Sequence, residues 1–138
     1  MGRILGIDYG TKRTGIAATD PLKIIASGLE TVPTGELLDF LAAYLSMEEV
    51  ETIVVGMPLY PDGNPAQIAH LVEGFVKKLK ELFPSIAVIT WDERYTSEEA
   101  RRIILQSGAR KKQRRDKSLV DKISAALILE DYLKANLW

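Results

Sequence analysis

Residues 4–20 read I-L-G-I-D-Y-G-T-K-R-T-G-I-A-A-T-D, and this stretch decides the fold. Two β-rich segments, residues 3–8 and 13–19, flank the Gly-rich turn Tyr9–Lys12, a pattern that predicts two strands joined by a tight connection. A third β-rich segment, residues 24–32, follows after another short connection. We therefore expect three successive strands that form an antiparallel meander.

The period of the apolar residues changes after the meander. A helix is predicted after Thr34, its expected N-cap, because the apolar residues that follow recur at helical spacing: Leu37, Leu38, Leu41, Ala42 and Leu45. Two short apolar runs, Thr52–Gly56 (TIVVG) and Ile86–Trp91 (IAVITW), are typical of buried parallel strands. Between these runs, the amphipathic pattern from Ile68 to Phe83 predicts a long helix.

Capping signals indicate where the helices begin and end. Asn64-Pro65 opens the long helix, and Thr96-x-x-Glu99 is a capping box that starts a further helix closed near Gly108. A last helix is predicted from about Leu119 to Lys134. The resulting order, βββ-α-β-α-β-α-α, predicts an α/β protein with one mixed five-stranded sheet and helices on both faces. This is the ribonuclease H-like fold, which we expect to form a single domain over residues 1–138.

The composition excludes several classes of protein. Hydrophobic residues make up 46% of the chain and charged residues 27%, as in globular proteins. No apolar run approaches the roughly 18 residues of a membrane span, and the N-terminus lacks the layout of a signal peptide. The chain contains no cysteine, which excludes disulfides, thiolate zinc sites and cysteine nucleophiles. We therefore expect a cytoplasmic protein without a membrane partner.

The charge is unevenly distributed. The segment from residue 101 to residue 122 contains nine basic and two acidic residues, a local charge of +7, although the whole chain carries a net charge of −1. Such a density of positive charge indicates binding to a polyanion such as nucleic acid, and a solvated charged loop is the alternative. The basic side chains expected to contact phosphates in this segment are Arg110, Lys111, Lys112, Arg114 and Arg115.

Three carboxylates occupy positions that solvation does not explain. Asp8 ends the first strand, Glu93 follows the last one, and Asp121 lies in the predicted first turn of the last helix. Because the ends of adjacent parallel strands converge on one crevice, we expect the three side chains to meet there if the first and last strands are near neighbours and the final helix packs across them. Converging carboxylates suit Mg²⁺ or Mn²⁺, and two such ions about 4 Å apart can catalyse the hydrolysis of phosphodiesters. Asp8 would bridge the ions.

Each carboxylate also has a structural alternative. Asp8 is well placed to cap the Gly10-Thr11 turn, and Glu93 to pair with Arg94. Ser118-x-x-Asp121 resembles a capping box, and a negative charge is favoured at a helix N-terminus in any case. The three residues therefore predict a metal site as a set rather than singly.

Other polar residues near these positions have two interpretations. Lys12 and Arg13 either contact substrate phosphates or decorate a hairpin, and Arg94 either grips the scissile phosphate or pairs with an acid. The turn-rich loop of residues 56–63 either binds ligand or only connects two elements. His70, the one histidine, falls toward the polar side of its helix and is expected to be a surface residue.

Four motifs of this sequence resemble the YqgF family, also called RuvX. In chain order they are GIDYGTKRTG from Gly6, GMPLYPDG from Gly56, WDERYTS from Trp91 and VDKISAALIL from Val120. The resemblance implies a small ribonuclease H-like nuclease, described as a Holliday junction resolvase and as a nuclease that matures the 5′ end of the small-subunit ribosomal RNA precursor. It also implies that Asp8, Glu93 and Asp121 are the catalytic acids, and that ribosomal precursor particles are partners.

The resemblance leaves the substrate open. Resolvases of similar fold carry a second aspartate three residues after the position of Asp121, where this chain has Ser124, and the short family shows this departure too. Structured RNA and branched DNA both remain candidate substrates, and the chain is expected to act as a monomer or a homodimer. A non-catalytic nucleic-acid-binding module is the main rival. The motif from Asp8 to Gly15 is also similar to a phosphate loop of actin-like ATPases and sugar kinases, which need two such domains.

Overall fold

The computed structural model describes residues 2–58, 68–93 and 117–138 of the chain. These residues form five strands and three helices. The strands are β1 (Arg3–Asp8), β2 (Arg13–Thr19), β3 (Ala26–Pro33), β4 (Val50–Pro58) and β5 (Ala87–Glu93). The helices are α1 (Leu37–Met47), α2 (Ala69–Leu82) and α3 (Lys117–Asn136), and a single 3-10 turn at Thr34–Glu36 precedes α1.

The strands form one mixed sheet with the order β3-β2-β1-β4-β5. The pairs β1–β2 and β2–β3 are antiparallel, so the predicted meander is confirmed. Strand β4 runs parallel to both β1 and β5, as its continuous apolar run predicts. The carboxyl ends of β1, β4 and β5 therefore lie at the same edge of the sheet.

Helices cover both faces of the sheet, as the sequence predicts. On one face, α1 and α2 pack against β-strand side chains that include Leu5, Ile7 and Val55. On the other face, α3 packs against Ile4 and Val54, the alternate residues of the same strands. Because successive side chains of a strand point to opposite faces of the sheet, each strand contributes to two separate hydrophobic cores. None of the helices within the described ranges is long and apolar enough to cross a membrane.

Strand β3 begins two residues later than the sequence indicates. The pattern predicts Ile24 and Ile25 within the strand, but their backbone N–H groups donate to Oδ1 of Asp20 at 2.7 and 2.8 Å. The same carboxylate accepts the N–H of Leu22 through Oδ2 at 3.2 Å. Because an aspartate side chain satisfies these donors locally, the residues form a loop instead of extending the ladder.

Two expectations about helix starts are wrong. Thr34 is not the N-cap of α1, because Glu36 occupies that position and the Thr34 hydroxyl is bonded elsewhere. Asp121 does not lie in the first turn of the last helix, since α3 already includes Lys117. Ser118 therefore lies inside the helix, and the capping-box interpretation of Asp121 is wrong as well.

Several expected features fall outside the described residues. They are the Asn64-Pro65 helix start, most of the turn-rich loop that begins at Gly56, the capping box at Thr96 and Glu99, and the helix end near Gly108.

Candidate active site

Asp8 and Asp121 line the same open cavity. Asp8 is the last residue of β1, and Asp121 lies one turn into α3. The cavity has a volume of about 280 Å³, and its other lining residues come from the turn between β1 and β2 and from the first residue of β2: Gly10, Thr11, Lys12 and Arg13. The structure thus brings two of the three expected carboxylates, those of Asp8 and Asp121, to the same cavity.

Two glycines allow α3 to approach the sheet closely enough to bring Asp121 to Asp8. Gly15 is the register partner of Asp8 on β2, and a Cβ atom there would overlap the backbone carbonyl of Asp121. A Cβ atom at Gly6 would come within 2.8 Å of the carbonyl oxygen of Ala125. The absence of side chains at these two positions therefore sets the height of the helix above β1 and β2.

A ring of three hydrogen bonds shapes the turn beside the cavity. The Thr34 hydroxyl donates to the carbonyl oxygen of Gly10 at 2.6 Å, and the Thr14 and Thr34 hydroxyl oxygens lie 3.0 Å apart. Since the single hydroxyl hydrogen of Thr34 is donated to Gly10, the Thr14 hydroxyl must be the donor and the Thr34 oxygen the acceptor in the bond between the two threonines. The Gly10 N–H closes the ring by donating to Thr14 at 3.4 Å. Thr14 is fully buried, whereas Gly10 and Thr34 are half-buried, so the ring is partly shielded from water.

Sequence reasoning misses this ring. The pattern predicts Thr34 as a helix cap and gives Thr14 no role beyond its place in a strand. One signal in the sequence could have indicated the ring. Thr14 is a polar residue two positions before Ile16, and Ile16 and its register partner Ile7 are buried, so Thr14 is expected to be buried on the same face of the strand. A buried hydroxyl needs a hydrogen-bond partner.

Arg13 forms an ion pair with Asp121. The Nε–H of Arg13 donates to Oδ2 of Asp121 at 2.7 Å, across 108 positions of the chain. The side chains of Arg13 and Asp121 are 40% and 20% exposed, and both residues line the cavity, so the pair is partly accessible to water. A residue expected to contact phosphate and a residue expected to hold metal are thus bonded to each other.

The backbone of Glu93 lies at the same edge of the sheet. It ends β5 and pairs in register with Pro58 at the end of β4. A side-chain hydrogen bond links β5 to α3 at Trp91, two residues before Glu93. The indole N–H of Trp91 donates to Oδ2 of Asp131 at 2.6 Å. The rings of Trp91 and Tyr132 also meet edge to face, with centroids 5.5 Å apart. The side chain of Glu93 falls outside the described part of the structure.

Comparison with known proteins places this arrangement in a family. The family model described as RuvX, Holliday junction resolvase, matches residues 2–135. The chain belongs to the RuvX family. Its relatives include proteins of Flavobacterium johnsoniae, 50% identical over 98% of each chain, and Porphyromonas gingivalis, 53% identical over 96% of each. Both carry the name "Putative pre-16S rRNA nuclease".

A solved structure supports the fold assignment independently. The chain is similar to RuvC of T. thermophilus, solved in complex with a Holliday junction substrate, with a TM-score of 0.57 and 18% identity. The alignment covers 97% of this chain and 96% of RuvC. At this level of identity the match shows the fold, and it confirms the ribonuclease H-like architecture predicted from the order of the elements.

The remaining basic residues expected to bind substrate are only partly included in the described ranges of this RuvX-family chain. Lys12 is exposed at the tip of the turn and lines the cavity. His70 is exposed on α2, as expected for a surface residue. The other expected phosphate contacts lie outside the described residues: Arg94, Arg110, Lys111, Lys112, Arg114 and Arg115.

The donor chemistry of the cavity fits a hard divalent cation. Asp8 and Asp121 supply carboxylate oxygens to one water-accessible space, and Mg²⁺ is bound in proteins by one or two carboxylates with several retained waters. Within the described ranges, no group of three or more acidic or histidine side chains is assembled. The carboxylates of Asp8 and Asp121 are therefore the part of the expected metal site that the structure brings into one cavity, and the backbone of Glu93 ends β5 at the same edge of the sheet.

Proposed function

We propose that this RuvX-family protein is a metal-dependent endonuclease that cleaves phosphodiester bonds in structured RNA. Its proposed role is the maturation of the 5′ end of pre-16S rRNA in the cytoplasm. The observation that carries the proposal is the shared cavity of Asp8 and Asp121, because it combines two carboxylates with the cationic side chains of Lys12 and Arg13. Carboxylates can hold a divalent cation, and the cationic side chains can hold the phosphates of a substrate.

The proposed acidic set is Asp8, Glu93 and Asp121, with Mg²⁺ or Mn²⁺ as the cation. When bound, the cation supplies an activated water and stabilises the leaving oxygen of the phosphodiester. Asp8, at the end of a buried strand, is held by the sheet, and Asp121 is held by the contact of α3 with Gly15. Ile89, Trp91 and Glu93 are two residues apart along β5, which is the spacing of residues on one face of a strand. Ile89 and Trp91 pack on the face of the sheet that α3 covers.

The basic residues of the chain would position the nucleic-acid backbone. Lys12 lies at the rim of the cavity, where a phosphate could approach the carboxylates without burying its charge. Arg94 follows Glu93 directly in sequence, and the five basic residues from Arg110 to Arg115 would extend the contact to neighbouring phosphates. Such contacts fix the position of a backbone but do not read its sequence.

Cleavage of a Holliday junction is the second candidate function. The description of the family model and the fold shared with RuvC favour it. The names of the curated relatives favour the ribosomal RNA precursor instead. Ser124 also favours simple strand cleavage, since resolvases of similar fold carry an aspartate at the equivalent position.

A cleavage assay with one carboxylate variant tests the proposal. Labelled RNA and DNA in single-stranded, duplex and four-way forms are incubated with wild type, Asp8→Asn or Asp39→Asn, with Mg²⁺ or Mn²⁺. Asp39→Asn is the matched control, because Asp39 is exposed on α1 at the opposite face of the sheet. We expect cleavage that requires the cation and falls at least about 100-fold in Asp8→Asn, the loss of a few kcal/mol of transition-state stabilisation.

The outcome of the assay separates the rival functions. Preference for structured RNA supports the role in pre-16S rRNA maturation, whereas preference for four-way DNA supports resolution. Binding that weakens with salt, without cleavage of any substrate, would show a binding module and overturn the catalytic proposal.

A further inference from the structure

The Arg13–Asp121 bond lies in the cavity that the proposed function assigns to the divalent cation. Oδ2 of Asp121 accepts the Nε–H of Arg13 at 2.7 Å, and both residues line the cavity beside Asp8. A carboxylate oxygen that accepts this bond has a guanidinium in the space where a metal ion would coordinate. The protein thus carries its own cation at an oxygen that the metal would need.

We infer that Arg13 stands in for the divalent cation at Asp121 and is displaced when the cation binds. The ion pair is partly accessible to water, since 40% of the Arg13 side chain and 20% of the Asp121 side chain are exposed, and ion pairs near the surface contribute little net stabilisation. An oxygen-seeking divalent cation that is held by Asp8 at the same time competes well against such a bond. The inference rests on the proposed function, because it assumes that Asp8 and Asp121 hold the cation.

The displaced guanidinium remains at the site. Arg13 is the first residue of β2, where it pairs with Pro33 of β3, so its backbone is held by the sheet while its side chain moves. A guanidinium has five N–H donors in a planar fork that matches the oxygens of a phosphate, and the bond to Asp121 uses one of them. Arg13 is therefore a positioning residue that links cation binding to the capture of a substrate phosphate.

Nuclear magnetic resonance on the wild-type protein tests the displacement directly. The Nε–H signal of Arg13 in isotope-labelled protein is followed while Mg²⁺ is added, without nucleic acid. Arg3 provides an internal control, because its Nε–H donates to Oε2 of Glu48 at 3.2 Å, at the other end of β1 from the cavity. We expect the Arg13 signal to move with increasing Mg²⁺, saturating as the cation site fills, while the Arg3 signal stays in place.

Binding of Mg²⁺ to variants, measured by calorimetry, tests the competition. Arg13→Gln removes the competing cation, and we expect Mg²⁺ to bind roughly two- to five-fold more tightly, the range that corresponds to an exposed ion pair. Arg13→Lys keeps the charge without the planar fork, and its affinity should lie between those of wild type and Arg13→Gln. Arg3→Gln is the matched control and should bind Mg²⁺ as wild type does.

The outcomes distinguish this inference from the proposed function. If Mg²⁺ binds to wild type but the Arg13 signal does not move, or Arg13→Gln binds no more tightly, the displacement is overturned and the nuclease proposal stands. If wild type binds neither Mg²⁺ nor Mn²⁺ and cleaves nothing, both ideas are overturned together. Because the resonance experiment uses the unaltered protein, a folding defect in a variant cannot obscure the result.

Discussion

Gly15 of β2 lies directly against the backbone carbonyl of Asp121 on α3. A Cβ atom at Gly15 would overlap that carbonyl, so the helix can keep its position only while residue 15 lacks a side chain. The same glycine is the register partner of Asp8. One position without a side chain therefore controls the separation of the two carboxylates in the cavity.

We expect Gly15→Ala to destabilise the protein and to abolish cation-dependent cleavage. The added methyl group must push α3 away from β2, and overpacking of this kind typically costs about 1–3 kcal/mol. Cleavage activity should fall by more than the unfolded fraction of the variant explains, because the shift of α3 separates Asp121 from Asp8. Urea denaturation gives the change in the free energy of unfolding, and the cleavage assay is performed without urea at a temperature where the variant remains folded.

Gly74→Ala serves as the matched control for this substitution. Gly74 is exposed in α2, and among the described residues no neighbouring atom lies within 4 Å of a Cβ atom added there. Replacing a glycine inside a helix by alanine should raise the free energy of unfolding by about 0.5–1 kcal/mol. Equal stability of Gly15→Ala and wild type would contradict the close contact of α3 with the sheet.

The hydroxyl ring beside the cavity predicts a difference between two substitutions of Thr34. Thr34→Val keeps the shape of the side chain but removes the donor to Gly10 and the acceptor for Thr14. Leaving these partly buried groups unpaired should lower the free energy of unfolding by about 1–3 kcal/mol. Thr34→Ser keeps the hydroxyl and should cost less than about 1 kcal/mol.

Thermal unfolding measures both variants, and Mg²⁺ affinity shows whether the turn is also important for the site. We expect weaker Mg²⁺ binding in Thr34→Val than in Thr34→Ser, because the turn carries residues that line the cavity. If Thr34→Val is as stable as wild type and binds Mg²⁺ equally well, the hydroxyl is dispensable and the ring does not stabilise the turn.

The sheet was predictable because its signals are local. The β-rich segments of β1 and β2, the glycine-rich turn between them and the apolar run of β4 are each contained in a short stretch of sequence. These signals predict the antiparallel meander of β1, β2 and β3 and the two parallel strands that follow, and with them the position of Asp8 at a strand end. A β-rich segment, a tight turn and a continuous apolar run can each be recognised without knowledge of contacts far along the chain.

The finer geometry was not predictable from local pattern. The bond between Arg13 and Asp121 joins residues that are 108 positions apart, so no spacing in the sequence indicates it. The predicted start of β3 is wrong because the Asp20 carboxylate binds the N–H groups of Ile24 and Ile25 before the ladder can. In each case a side chain competes with a regular pattern, and the result depends on geometry that exists only after folding.

The Asp20 loop predicts a dependence of stability on pH. The backbone N–H of Ile25, followed by those of Ile24 and Leu22, holds the pKa of Asp20 below its ordinary value of 3.8, against an opposing effect of burial. A carboxyl whose pKa is lowered by folding stabilises the protein above its unfolded pKa, and this contribution is lost as the pH falls through the folded pKa. Stability should therefore fall in acid below about pH 4.

Asp20→Asn tests this assignment. The amide keeps an acceptor oxygen for the loop but does not titrate. The difference in the free energy of unfolding between wild type and variant should therefore shrink as the pH is lowered from about 6 to about 3, a range that spans the ordinary carboxyl pKa. Urea denaturation across this range measures it. A difference that stays constant with pH would show that the charge of Asp20 contributes nothing.

Ser124 predicts a substitution that stabilises the protein. Its side chain is fully buried, and its hydroxyl oxygen has no hydrogen-bond partner within the described part of the chain. A buried hydroxyl without a partner costs about 1–3 kcal/mol, and alanine also has the higher helix propensity. We therefore expect Ser124→Ala to raise the free energy of unfolding by about 1 kcal/mol, measured by urea denaturation.

Ser46→Ala provides the comparison, because the Ser46 residue is exposed and its hydroxyl donates to the carbonyl oxygen of Ala43. That substitution should change stability by less than about 0.5 kcal/mol. Loss of stability in Ser124→Ala would instead show that the hydroxyl makes a stabilising polar contact one turn along α3 from Asp121. In that case Ser124 belongs to the polar surroundings of the site, and Ser124→Ala should also weaken Mg²⁺ binding.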